Sequence, residues 1–116
     1  MGGVAMSSLD DLMRIRGVVF AAEFTPEGRL LEYRATEDFT DEMAGMCAEL
    51  CEPVNIMFET LAQEFMRFSE MNWLPARGWA YSGGNWTVAM GGHRGVFVET
   101  AQADFNELFR ALVGTR

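Results

Sequence analysis

Lysine is absent from this sequence: all nine basic residues are arginine, against 17 acidic residues, for a formal net charge of −8. Such an acidic chain repels phosphate backbones and offers no polybasic patch to anionic lipid, so nucleic acid and membrane surfaces are not expected partners. Positively charged protein partners are allowed. Histidine occurs once and cysteine twice. Two cysteines argue against a disulfide framework and for reduced thiols in a cytoplasmic protein. Long apolar runs are missing too, since none nears the ~20 residues that span a bilayer. Met1 to Met6 is too short and uncharged for a secretory signal. Without repeats, low-complexity tracts or linkers, residues 1–116 read as one domain.

Glycine, by contrast, is plentiful at 12 residues. Its placement organises the chain around Gly78 to Thr100. Gly83-Gly84-Asn85 and Gly91-Gly92-His93-Arg94-Gly95 punctuate that stretch as turns, because glycine reaches positive φ without steric cost. Trp79, Tyr81, Trp86, Val88, Val96, Phe97 and Val98 fill the runs between them, and such residues suit a pleated surface. Three antiparallel strands follow. Upstream, the nearly all-apolar Val18 to Phe24 reads as a central strand buried on both faces. Thr25-Pro26-Glu27-Gly28 turns it back into Arg29 to Arg34.

Helices complete the order. Ser8 with Asp11 has capping-box character before a short helix that ends at Gly17. Thr40 or Asp38 caps a long helix. Its apolar positions Met43, Met46, Cys47, Leu50, Val54, Met57, Phe58, Leu61, Phe65 and Phe68 follow at steps of one, three and four. The phase survives Pro53, which predicts one bent helix of about 30 residues; Met71 to Gly78 leaves it, with Pro75 preventing its continuation. Asp104 with Glu107 caps a terminal helix with Phe105, Leu108, Phe109 and Leu112 on one face. The fold class is α+β, in the order α-β-β-α-β-β-β-α, with one antiparallel sheet and helices on both faces.

The long helix carries more apolar surface than one contact uses. Its large residues form one stripe, expected to pack on the sheet. Ala44, Ala48, Cys51, Asn55 and Ala62 form a flank of mostly small residues, expected to meet a second copy of the same helix. On that expectation Ala48→Arg would yield monomers.

The set Gly17-Val18-Val19 with Ala21-Ala22-Glu23-Phe24, Pro26 with Gly28, Leu31-Glu32-Tyr33, Met71-Asn72-Trp73, Gly78-Trp79-Ala80 with Ser82-Gly83-Gly84, and Gly95 to Thr100 before Asp104-Phe105-Asn106 resembles the roadblock (roadblock/dynein light chain-like) family. It is closest to a bacterial branch of unassigned function. The resemblance spans nearly the whole chain. It implies a five-stranded sheet in the order second, first, fifth, fourth, third, with the long helix on one face and the two terminal helices on the other. It also implies a homodimer that pairs long helices side by side and third strands edge to edge, which adds Trp79 and Tyr81 to the expected interface. Family members regulate or scaffold small GTPases or tether larger complexes, generally without catalysis of their own.

No residue pattern asks for chemistry. Cys47 and Cys51 share a helix side but lack further metal ligands and sit poorly for a disulfide, so they read as structural thiols. His93 has no nucleophile or acid beside it in sequence and reads as a solvated turn histidine, with Arg94 as an exposed turn arginine. The glycine turns precede no helix and no Walker lysine, so they are not phosphate loops. Glu32, Glu49, Glu52, Glu59 and Glu64 read as solvated charges. The expectation is a non-enzymatic, cofactor-free homodimeric adaptor whose partner is itself and a protein such as a small GTPase. Two alternatives remain: a small-molecule sensor with an apolar pocket near Trp73 or the methionines, and a cysteine-based redox or metal protein.

Overall fold

The computed structural model describes residues 7–36 and 38–114. α1 (Leu9–Met13) opens with a complete capping box: the Ser8 hydroxyl accepts from the Asp11 amide, and the Asp11 carboxylate accepts from the Ser8 amide. Gly17, at φ +87°, turns the chain into β1 (Val18–Phe24), which pairs antiparallel with β2 (Leu30–Ala35). α2 (Asp41–Ser69) runs unbroken through Pro53, capped by the Thr40 hydroxyl. β3 (Gly78–Gly83), β4 (Trp86–Gly91) and β5 (Arg94–Glu99) form the meander, and α3 (Phe105–Val113) closes the chain behind an Asp104 cap. The five strands lie in the order β2-β1-β5-β4-β3, as the resemblance implied. β2 and β3 are therefore the open edges.

The two sheet faces are packed differently. On one, Leu9, Leu12 and Ile15 meet Leu108 and Leu112 over Val18, Ala21, Ala89, Val96 and Val98, so the two terminal helices share a face. On the other, Phe20, Phe24 and Met90 fill the space beneath α2. Phe20 stacks on Phe39 at 4.8 Å and tilts against Phe97 at 5.0 Å. These offset aromatic contacts thicken the sheet side of the layer.

That thickness settles which face of α2 turns inward, and the expectation from the sequence is reversed. Ala44 and Ala48 are 0% exposed, and Ala62 is buried as well. Large side chains already crowd the sheet face, so close packing favours the small Ala44 and Ala48 methyl groups at the helix contact. The Thr25–Gly28 turn also approaches closely, with the Gly28 Cα side facing the Ala48 carbonyl. Periodicity shows that a small and a large arc exist; only the partner surface decides which one is buried. Ala44, Ala48 and Ala62 thus belong to the chain's own core, and the large stripe faces outward.

α2 ends where the sequence has the chain leave it: Glu70, with a left-handed backbone (φ +61°), caps it just before Met71. Ser69 organises that end: its hydroxyl donates to the Phe65 carbonyl at 2.6 Å and accepts from the Met71 amide and the Trp73 indole. One smaller expectation changes: Arg94 is not an exposed turn residue. It begins β5, opposite Glu23 on β1, and is 7% exposed.

Candidate functional site

The outward face of α2 is apolar along its length. Met43, Met46, Leu50, Met57, Leu61 and Phe68 are all exposed, with Leu50 at 66%, Met57 at 68% and Phe68 at 80%. Positions 43, 47, 50, 54, 57, 61, 64 and 68 alternate steps of four and three, and only Glu64 among them is not apolar. A heptad of this kind, broken only at Glu64, is the pattern of a helix that packs against another helix. At ~1.5 Å per residue the helix is about as long as the 44 Å long axis of the molecule. A contiguous apolar strip on this scale exceeds what monomers ordinarily leave open to water.

Beside the strip lies β3, an edge strand whose outer backbone groups have no strand partner among the described residues. Tyr81 is exposed on it, whereas Trp79 is half-buried against Phe58, ring centroids 5.6 Å apart. Of the expected interface residues, Tyr81 is thus open at the edge. Cys51, Asn55 and Trp79 are partly covered, and Ala44, Ala48 and Ala62 are sealed inside.

A polar bridge that the sequence did not reveal ties α2 to the β-meander. Glu52 is buried, not solvated, and its carboxylate accepts from Asn55 at 3.1 Å and meets His93 Nδ1 at 2.7 Å. Asn55 also donates to the Gly92 carbonyl at 3.1 Å and accepts from the Trp79 indole at 2.6 Å. A buried carboxylate is tolerable because both its oxygens are hydrogen-bonded. His93 keeps its predicted place in the β4–β5 turn, but it is a positioned ring and not a free one. These residues are 41 apart in sequence, so no local pattern joins them.

Arg94 makes a second bridge on the opposite face. Its guanidinium donates to the carbonyls of Ala111 at 3.0 Å, Leu112 at 3.2 Å and Ser7, tying the last turn of α3 and the segment before α1 to β5. A cation at a helix C-terminus satisfies carbonyls that the helix itself cannot. Burial pulls the guanidinium below its ordinary value, and the charge of Glu23 works in the other direction.

Cys47 and Cys51 are free and partly buried. Desolvation pushes both thiols up, Cys51 to about 11 with further help from the charges of Cys47 and Glu52. The thiolate is the reactive form, so these surroundings oppose thiol chemistry near neutral pH. Among the described residues no group of three or more His, Cys, Asp or Glu is placed to hold a metal ion, and no helix is long and apolar enough to cross a membrane.

Sheet order and the division of helices between its faces define a roadblock-like domain. Solved structures agree. The crystal structure of a Roadblock/LC7 domain from Streptomyces avermitilis superposes with a TM-score of 0.68, at 12% identity, over 87% of this chain and 81% of that one. The gliding protein MglB from Thermus thermophilus gives 0.67 at 12% identity, covering 86% and 73%. MglB from Myxococcus xanthus gives 0.62 at 13% identity, covering 85% and 76%. Identities this low speak for the fold alone. The chain itself belongs to the family described as "Uncharacterized conserved protein (DUF2173)", whose family model matches residues 8–113. A search of curated proteins finds no match.

Proposed function

We propose that this protein is a homodimeric, non-enzymatic adaptor of the cytoplasm that docks or regulates a small GTPase or tethers a larger protein complex. The observation that carries the reading is the exposed heptad of α2. A strip of Met, Leu and Phe side chains along a whole helix is stable in water once another apolar surface covers it. A second copy of α2 offers such a surface with matching periodicity, through a two-fold contact of the kind most homodimers use. The open β3 edge beside it supports strand pairing across the same axis, with Tyr81 at the margin. The roadblock fold of the neighbours and the resemblance of the sequence to that family support a protein partner, and the GTPase is the partner class that the resemblance brings.

This interface differs from the one the sequence suggested, because the large stripe and not the alanine flank faces the partner. Leu50→Glu combined with Met57→Glu places two carboxylates on exposed positions of the strip. Light scattering is expected to show the mass falling from twice 13.0 kDa to a single chain. The thermal midpoint of the isolated chain should hold, since neither residue is buried in it. A double variant that keeps the dimer mass would place the contact elsewhere.

A further inference from the structure

Three cavities meet around one side chain, Arg77. A groove of about 470 Å³ runs between the C-terminal half of α2 and β3, with Phe58, Phe65, Trp73 and Trp79 on its walls. A second cavity of about 400 Å³ lies between the β4–β5 turn and the end of α3, lined by His93 and Arg94. A third of about 160 Å³ shares Phe58, Gly78 and Trp79 with the first and Gly92 and His93 with the second. Arg77 lines all three.

The protein carries −8 overall, whereas in this cleft Arg77, Arg94 and His93 stand beside Glu23, Glu59 and the buried Glu52, so basic and acidic groups are close to balanced. Glu23 lies opposite Arg94 in the β1–β5 pair and its charge is felt there, while the Arg94 donors go to backbone carbonyls. Arg77 is different: its guanidinium makes no hydrogen bond or ion pair with the described residues. Nor is His93 free to turn away. Buried Glu52 holds its Nδ1 at 2.7 Å, which leaves Nε2 as the nitrogen available to a ligand. A ring oriented by a buried carboxylate, next to an unpaired guanidinium and an aromatic groove, is a small-molecule arrangement: mostly apolar walls with a few convergent polar groups, in the usual size range.

We propose that this cleft binds a small amphipathic oxyanion, an aromatic or acyl body bearing a terminal carboxylate or phosphate. The body lies in the groove against Trp73 and Trp79. The charged end meets Arg77, whose planar fork matches either oxyanion through paired N–H donors, with the His93 ring, held at Nδ1 by Glu52, beside it. This goes beyond the adaptor reading and stands without it, since every group named belongs to one chain.

Isothermal titration of the full chain with 2-naphthoate, 2-naphthyl phosphate and the neutral 2-naphthamide tests it. At least one oxyanion is expected to bind about tenfold tighter than the amide, the gain of a charge-assisted bidentate contact. Which one binds tighter identifies the headgroup. Arg77→Gln should erase that preference while leaving amide binding and the thermal midpoint unchanged. His93→Gln should weaken the oxyanions alone. Equal affinity for all three compounds, no binding of either oxyanion, or a preference that survives Arg77→Gln would each overturn the proposal.

Discussion

Ala48→Arg unfolds the chain rather than splitting a dimer. Ala48 is fully buried on the sheet-facing side of α2, among Phe20, Phe24, Met90 and Ala44. An arginine there must displace that packing and bring a charge into a space without a partner for it. Overpacking alone costs ~1–3 kcal/mol, and an unpaired buried charge adds several more. A total loss of roughly 4 kcal/mol or more removes much of the ~5–15 kcal/mol that holds a domain together. Thermal unfolding by circular dichroism should show a midpoint lowered by at least about 15 °C, or no folded signal at all. A variant that melts like the parent but sediments as a monomer would instead put the alanine face on the outside.

Arg94→Ala comes second in size. Truncation removes donors from the Ala111, Leu112 and Ser7 carbonyls together. Hydrogen bonds from charged groups are each worth ~1.5–3 kcal/mol, and buried acceptors left without partners carry a further penalty. Part of that loss is offset, because the cation no longer has to be held out of water, and because Nε is buried without a partner among the described residues. A net loss of about 3 kcal/mol is the expected result. The damage should be local in character: hydrogen exchange at α3 and α1 rises first, while β1 and β5 amides stay protected. Uniform loss of protection, or none, would show that Arg94 does not fasten the terminal helices.

How much of this was legible in the sequence follows from how far apart the deciding groups lie. Caps, turns and the meander depend on neighbours within a few residues. Ser8 with Asp11, Asp104 with Glu107, and glycine at the β3–β4 and β4–β5 turns therefore announced the elements correctly. Strand order came with the family resemblance. The face of α2 was not legible, because an amphipathic wheel with two apolar arcs fits a sheet either way round. What decides is the bulk of Phe20, Phe24 and Met90, on strands placed far from α2 in the chain. The heptad through Leu50, Val54, Met57 and Leu61 was available as a signal, since steps of four and three mark a helix partner and not a sheet. The site was least legible. Glu52 and His93 gain their relation only when the β4–β5 turn folds over α2, and the exposed Arg77 becomes central only because three grooves meet at it.

The central claim is that the outer face of α2 is covered by a second copy of itself. Sedimentation equilibrium of the unaltered chain, diluted stepwise through the micromolar range, tests it most directly. A mass twice the chain's 13.0 kDa is expected at the upper concentrations. A mass that stays at one chain throughout would leave the Met, Leu and Phe strip open to water and contradict it.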